Sequence, residues 1–399
     1  MDSTEEKVLN PTVLKLGLVS FFADVASEML YPITPIFLTT VLGASMTSLG
    51  LIEGVAEAIA SLMKTYSGIW SDRISNRKSF IFAGYLLAAV AKPIIGFSQT
   101  WPQVLFARSL DRTGKGLRSA PRDALLADSV AERSRGEAFG WHRAMDTMGA
   151  ALGPLFALYF ISVKPDDLRG LYYWALIPGL LSVAVVFLVR DKKKSSTKPK
   201  HVASFNFFKE WGSLNPQFKN YLLAWGLFSI ANSSDVFLLM KVKDAGISTQ
   251  AVILLYCGYN LVYSLASPFL GKLSDQIGRK RILILGFIMF MVVYLGFSAM
   301  KTVTGFAVLF LIYGLYMAAT DGVGKAITVD LADQDKKATC LGLLGTVTGL
   351  CTIFASLIAG LLWDHVGASA AFLYGAFGAL AAILVLLQVT IEKTAVANH

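Results

Sequence analysis

Apolar segments long enough to cross a lipid bilayer recur along almost the whole chain, separated by short polar turns. A spanning α-helix needs about 20 largely apolar residues. Runs of about that length lie, in chain order, at 13–42, 47–69, 80–97, 104–127, 139–163, 171–189, 221–240, 249–273, 282–300, 304–329, 341–362 and 370–390. The pattern predicts an all-α membrane protein with twelve transmembrane helices, six on each side of a lysine-rich stretch.

The two sets of six segments repeat each other at a nearly constant spacing. Gly68 and Asp72 recur as Gly271 and Asp275, 203 residues later. Two further short matches between the sets lie at offsets of 204 and 205 residues. This spacing predicts a duplicated six-helix unit, the kind of parallel repeat that transporters use.

The repeat and the distribution of charge together predict the domain organisation and the orientation. We expect a six-helix bundle over 1–190, a cytoplasmic linker over 191–219 and a second six-helix bundle over 220–399. The net charge is +9, and the basic residues concentrate in alternate turns and in the linker. Because cationic loops resist translocation, we expect a multi-pass protein of a bacterial inner membrane with both termini cytoplasmic. We expect no cleaved signal peptide, since the first residues are polar.

Composition argues against a soluble enzyme. Charged residues make up 16% of the chain, against roughly 25% in average soluble domains. The four histidines are scattered and form no nucleophile–base or metal-ligand arrangement. We therefore expect no enzymatic activity, no cofactor and no bound metal.

The turns that follow the second and eighth segments share a motif of a glycine, an acid after three further residues, and a cluster of bases. The two copies consist of Gly68, Asp72, Arg73, Arg77 and Lys78, and of Gly271, Asp275, Gly278, Arg279, Lys280 and Arg281. With this motif and its two six-helix halves, the chain resembles a transporter of the major facilitator superfamily. The resemblance implies two bundles related by a pseudo-two-fold repeat, and a gating latch formed by Asp72, Arg73, Arg77, Asp275 and Arg279.

Many ionisable residues lie within or near the apolar segments of the first half. A charge at the centre of a bilayer costs about 2.5–3.5 kcal/mol, so these residues must line a wet cavity, pair with one another or lie near the interface. Arg112, Lys115 and Arg118 fall on one arc of the fourth segment, and Glu53 and Glu57 share one face of the second. The resemblance implies that the first and fourth helices of each half line the central cavity.

Bases outnumber acids in this set, which favours an anionic substrate bound by Arg112 and Lys115, with Arg118 the next candidate. The remaining candidate contacts are Glu53, Glu57, Tyr31, Tyr256, Asn260, Tyr263 and Tyr316. Two other interpretations stay open: the acids neutralise the bases in a buried structural network, and the tyrosines are interfacial anchors.

Proton coupling needs a carboxyl group that titrates near neutral pH inside the membrane. Glu28 is the first candidate, followed by Asp24 and Asp235. His142 lies near Asp146 at the start of the fifth segment, where it either relays protons or belongs to an interfacial ion cluster.

These observations predict a secondary active transporter that moves a small organic anion by alternating access, coupled to protons as a symporter or an antiporter. A carboxylate, or a carboxylate-type siderophore or metal chelate, fits the basic stripe. A drug efflux antiporter and a metal-ion carrier that uses the Asp/Glu cluster are the alternatives. The expected partners are the small-molecule anion, protons and the lipid bilayer, with no nucleic acid, and we expect a monomer.

Overall fold

The computed structural model describes residues 10–74, 76–130, 135–189, 214–332 and 337–390, and the regular structure within these ranges is helical throughout. The helices are α1 (Pro11–Glu28), α2 (Thr34–Ile36), α3 (Met46–Ile74), α4 (Arg77–Phe97), α5 (Trp101–Asp128), α6 (Arg135–Val163), α7 (Leu168–Leu188), α8 (Pro216–Ala231), α9 (Val236–Asp244), α10 (Thr249–Ile277), α11 (Arg279–Ala299), α12 (Val303–Leu331), α13 (Lys337–His365) and α14 (Ala368–Gln388). A π-helical stretch, Phe37–Val41, follows α2.

Ten of the described helical segments are long and apolar enough to cross a membrane, with α8 and α9 together forming one of them. Helices α1 and α5 are not among these ten. The first predicted segment is interrupted after Glu28, where α1 ends, and α5 carries a row of charged side chains. The all-α membrane fold is therefore confirmed, whereas the count of twelve spans stays a prediction.

The two halves of the chain begin with the same local structure. The Asn10 side chain caps α1 by accepting hydrogen bonds from the backbone amides of its first turn, and a proline follows at the first helical position. Asn215 caps α8 in the same way, again followed by a proline. An N-cap of this kind stabilises a helix by about 1 kcal/mol. The repeat therefore extends to the way each half starts its first helix.

The described residues group into two compact units. Unit 1 comprises those of Met1–Ala44 and Val55–His201, and unit 2 comprises those of Ser45–Gly54 and Val202–His399. The first turns of α3 thus belong with unit 2. The predicted linker lies mostly outside the described residues, and α8 already begins at Pro216, inside the range predicted as linker.

The helix pairings inside the two units correspond to each other. In unit 1, α4 packs against α5 and α7, and α1 packs against α6 and α7. In unit 2, α11 packs against α12 and α14, and α8 packs against α13 and α14. These are the same pairs when each helix of unit 1 is matched with its repeat partner, so the duplication predicted from sequence spacing is present in the packing.

Ion pairs and backbone contacts of the motif bases repeat as well. Arg77 pairs with Asp128 in unit 1, and Arg279 pairs with Asp330 at 2.6 Å in unit 2, each pair 202 residues from its counterpart. The neighbouring lysines, at 78 and 280, donate to carbonyl oxygens near the end of the last helix of their own unit, at 2.9 and 2.8 Å. The motif bases therefore tie three helices together within each unit.

Gly278 is the only residue between α10 and α11, and its φ of +106° lies in a region that side chains with a Cβ rarely adopt. We predict that Gly278→Ala lowers the free energy of unfolding by about 1–3 kcal/mol, the usual cost of such strain. Thermal unfolding in detergent micelles measures the effect. Gly345→Ala is the matched control, since Gly345 lies within α13 with open space around it. A Gly278→Ala variant that unfolds at the wild-type temperature would contradict this.

Candidate functional site

Unit 1 gathers positive charge around a single carboxylate, that of Asp111 on α5. The Lys92 Nζ atom lies 3.6 Å from Oδ1 of Asp111. The Arg108 Nη1 and Arg112 Nε atoms lie 4.0 and 3.9 Å from Oδ2. Lys92 and Arg108 are buried. One carboxylate carries one negative charge, so it balances only one of the three cations that surround it.

Glycines bring the helices close enough to form this cluster. A Cβ atom on Gly84 of α4 would lie 2.6 Å from the carbonyl oxygen of Gly114 on α5, so the two backbones are in contact. A Cβ atom on Gly116 would lie 2.7 Å from the carbonyl oxygen of Ala60 on α3. With this close packing on two sides of α5, its Arg108 and Arg118 side chains are buried among neighbouring helices.

Arg118 is the most enclosed base of the predicted substrate face. It is only 6% exposed, and its guanidinium carbon stacks 4.2 Å from the centre of the Tyr85 ring. The Nη1 atom is buried and has no hydrogen-bond partner among the described residues. A buried N–H group without an acceptor costs about 1–3 kcal/mol, more when it is charged. An anionic oxygen placed beside Nη1 would satisfy this donor.

Lys115 lies one turn before Ser119 on the same helix and is exposed. It is close enough to Arg112 for the two positive charges to repel, and close enough to Glu57, Asp24 and Glu28 for their charges to attract it. The structure therefore brings together, in unit 1, the predicted substrate bases and three of the predicted acids. Tyr31, half-buried, lies just beyond the end of α1.

Charge is unevenly distributed in unit 1. Three cations lie within 4.0 Å of the one carboxylate of Asp111. Around Lys115 the acids predominate. A cluster of cations and a set of carboxyl groups thus lie side by side in unit 1.

Asp235 occupies the break between α8 and α9 in unit 2. Its carboxylate accepts hydrogen bonds from the hydroxyl groups of Tyr313, at 2.6 Å, and Tyr259, at 2.8 Å. Glu53, in the part of α3 that belongs with unit 2, is buried and close enough to act on the charge of Asp235. The two tyrosines were not expected from the sequence as partners of this acid. The available signal was a carboxyl group in an apolar segment, which needs donors on neighbouring helices.

The four polar residues predicted to line the substrate site from the second half each contact another residue of unit 2. Tyr256 is buried, with its ring edge-on to that of Tyr259. The Asn260 side chain donates to a backbone carbonyl of its own helix. Tyr263 donates to Asp321 at 3.0 Å. The Tyr316 hydroxyl is also buried and accepts a hydrogen bond from Asn232. Their contact with substrate stays a prediction.

The predicted gating residues are partly described. The side chains of Asp72 and Arg73 lie outside the described part of the chain. Arg77 has its partner within unit 1, and Arg279 bridges Asp275, at 3.0 Å, to a second acid within unit 2. These contacts brace the helices of one unit, and the gating role stays a prediction.

Removal of the Asp111 carboxylate tests the charge cluster. We predict that Asp111→Asn lowers the free energy of unfolding by about 3–5 kcal/mol, because the buried cations lose their counter-charge. Denaturant titration in detergent micelles measures it. The double variant Asp111→Asn with Lys92→Met should lose less of the free energy of unfolding, since it also removes one buried cation. Asp166→Asn, at an exposed turn, is the control. Equal stability of Asp111→Asn and the wild type would show that the cluster is solvated instead.

Comparison with known proteins places the chain in a family. Residues 16–256 and 221–398 match the family model of the Major Facilitator Superfamily. An uncharacterized MFS-type transporter of Methanocaldococcus jannaschii is 35% identical over 392 residues, which cover 97% of this chain and 96% of the relative. A probable 4-methylmuconolactone transporter of Cupriavidus pinatubonensis is 24% identical, over 83% of this chain and 78% of the relative. The solved structure of the nucleoside transporter NupG has a TM-score of 0.78 at 12% identity, covering 95% of this chain and 98% of that one. The chain belongs to the major facilitator superfamily of membrane transporters.

Proposed function

We propose that this chain is a secondary transporter that carries a small organic anion across the cytoplasmic membrane by alternating access, coupled to protons. Membership of a transporter family supports transport as such. The observation that carries the anion assignment is the crowding of Lys92, Arg108 and Arg112 around the single carboxylate of Asp111. Arg118, with its buried and unpartnered Nη1, provides a donor for the anion.

The chemistry of these bases favours a carboxylate. Arginine presents a planar fork that matches two carboxylate oxygens, while lysine adds a mobile point charge. Arg118 and Lys115 are one turn apart on α5, the first buried and the second exposed. In the proposal, Lys115 attracts the anion and Arg118 fixes its orientation. A carboxylate-type siderophore or another metal chelate belongs to the same class of ligand.

Proton coupling in this proposal uses carboxyl groups of both units. Glu28 and Asp24 act beside the Lys115 ammonium in unit 1. Asp235 acts within its pair of tyrosine hydroxyls in unit 2. Protonation of a carboxyl near Lys115 changes the net charge that the anion meets, which links the two binding events. The arrangement serves a symporter or an antiporter equally. The proposed topology has both termini in the cytoplasm.

The charges of unit 1 disfavour the two alternative cargoes. A metal ion or a cationic drug bound by Asp24, Glu28 and Glu57 would have to share these acids with the ammonium group of Lys115, which already attracts their charge. An uncharged amphipathic drug would leave the excess positive charge of the Asp111 cluster unbalanced.

A thermal-shift screen tests the anion assignment. We expect at least one of citrate, succinate, benzoate, phosphate and sulfate to raise the unfolding temperature of the purified protein at pH 7, since a ligand at 100 times its Kd stabilises by about 2.7 kcal/mol. Lys115→Gln and Arg118→Gln should each remove the shift, measured against the same variant without ligand. Lys164→Gln, at an exposed turn of unit 1, should keep it. The assignment would be contradicted if no anion of the panel shifted the unfolding temperature. It would also be contradicted if the shift in Lys115→Gln and Arg118→Gln were as large as in the wild type.

Proteoliposomes test the coupling. With the anion that stabilises the protein best, we predict uptake driven by an imposed pH gradient. Glu28→Gln should abolish that uptake and leave counterflow of the anion intact, because counterflow needs no net proton movement. Asp166→Asn serves as the control for loss of an acid elsewhere in unit 1. Normal gradient-driven uptake by Glu28→Gln would remove Glu28 from the coupling mechanism.

A further inference from the structure

The first helix of each unit is interrupted at the same point of the repeat. Helix α1 ends at Glu28, and α8 ends at Ala231, 203 residues later. A break in a membrane-spanning helix frees backbone carbonyl groups in a region without bulk water, and such groups need partners. Interruptions at corresponding positions of two repeats are a pointer to ion or substrate sites in transporters. The break between α8 and α9, residues 232–235, is therefore a candidate binding site.

The break in unit 2 is more polar than its counterpart in unit 1. Residues 232–235 are Asn-Ser-Ser-Asp, whereas residues 29–32, at the same offset of 203, are Met-Leu-Tyr-Pro. Asn232 and Asp235 thus stand where unit 1 has an apolar side chain and a proline. The duplication accounts for the break itself, but not for the amide and the carboxylate, which are specific to unit 2.

The break leaves backbone carbonyl groups at the end of α8 without donors. In a continuous helix, the amides of residues 233–235 would bind the carbonyl groups of residues 229–231. The Ile230 carbonyl instead accepts a hydrogen bond from a tyrosine hydroxyl of α14 at 2.8 Å. Ser229 and Ala231 are buried, and their carbonyl oxygens accept no hydrogen bond from the described residues. Two buried acceptors therefore stay open at the negative pole of the α8 dipole.

The carboxylate of Asp235 lies in the break and has no basic partner. Its two oxygens accept hydrogen bonds from the hydroxyl groups of Tyr313 and Tyr259, which supply no positive charge. Although Asp235 precedes α9, its side chain caps none of the amides of that helix. No lysine, arginine or histidine of the described ranges pairs with Asp235, and the nearby charged side chain of Glu53 is itself an acid.

The Asn232 side chain approaches the same stretch of α12 as the Asp235 carboxylate. Its Nδ2 atom donates to the Tyr316 hydroxyl at 3.1 Å. Tyr316 lies one turn after Tyr313, the partner of Asp235, and the two tyrosine rings are 5.1 Å apart. The Oδ1 atom of Asn232 is buried and has no hydrogen-bond partner among the described residues. The break therefore holds a third open acceptor besides the two carbonyl oxygens.

A metal cation satisfies these oxygens better than a proton does. A proton on Asp235 would neutralise the carboxylate but leave the Asn232 oxygen and the two carbonyl groups without donors, which is costly for buried groups. A hard cation binds several carboxylate, amide and backbone carbonyl oxygens at once. One carboxylate at the break favours a single positive charge. Within the described ranges, no group of three or more His, Cys, Asp or Glu side chains offers a divalent site.

We propose that the α8–α9 break of unit 2 binds a monovalent cation, with sodium as the probe, through the Asp235 carboxylate, the Asn232 Oδ1 atom and the carbonyl oxygens of Ser229 and Ala231. The inference goes beyond the proposed function, because it adds a cation to the anion and the protons. A bound cation and a proton on Asp235 exclude each other, so the two ions compete for this carboxylate.

Binding of ²²Na⁺ to the purified full chain in detergent, without any anionic substrate, tests the site. We expect saturable binding to the wild type that excess NaCl displaces and choline chloride at equal ionic strength does not. Asp235→Asn should abolish this binding. Asn232→Leu should weaken it by about tenfold or more, since the cation loses one polar ligand. Asp244→Asn, which removes an exposed acid at the far end of α9, should bind sodium as the wild type does.

The site is overturned if the wild type shows no saturable binding, or if Asn232→Leu and Asp235→Asn both bind as the wild type does. Equal displacement by choline also overturns it, because the binding would then respond only to ionic strength. If Asp235→Asn does not elute from size-exclusion chromatography as a folded protein, Asn232→Leu decides, since it keeps the carboxylate. Sodium binding without any stabilising anion would keep the site and contradict the proposed function. A stabilising anion without sodium binding would do the reverse.

Discussion

The structure of unit 1 depends on how it accommodates more positive charge than the carboxylate of Asp111 can neutralise. Burial of a charge costs several kcal/mol even after relaxation, so each of these cations needs acidic or polar partners. The side chains of Lys92, Arg108 and Arg112 all lie within 4.0 Å of the Asp111 carboxylate. In the proposed function, an anionic substrate would add negative charge beside these cations, so that stability and recognition would be linked in one cluster.

Close helix packing is the second constraint, and glycines impose it at two places in unit 1. Gly84, Gly114 and Gly116 hold α5 against α4 and α3, while Gly149 and Gly153 hold α6 against α1. The first contact concentrates cations, and the second places polar side chains of two helices within hydrogen-bonding distance. The duplication has kept the helix pairings and the basic braces in unit 2 but not the charge, since unit 2 offers Asp235 within tyrosine hydroxyls instead. Two units of one architecture have therefore become specialised in different ways.

The sequence was sufficient for the helical segments and their repeat, because length, apolar content and the 202–205-residue spacing are properties of the chain itself. It was also sufficient to identify the bases of α5 as a group. It did not reveal that Asp111 would face three of them, because such contacts depend on which glycines let which helices touch. The tyrosines give a second example of this limit. Tyr259 and Tyr313 donate hydrogen bonds to the carboxylate of Asp235, while the predicted Tyr256 and Tyr316 lie in the aromatic packing beside them. The spacing of these tyrosines along their helices does not distinguish the two pairs.

Anomalous diffraction from crystals grown with 4-bromobenzoate, a carboxylate that carries its own heavy-atom label, would locate the anion site. We expect a bromine peak in unit 1, with the carboxylate of the ligand within hydrogen-bonding distance of Arg118 Nη1. A peak only at other positions, or a guanidinium of Arg118 already bonded on both terminal nitrogens to carboxylates of its own chain, would contradict it.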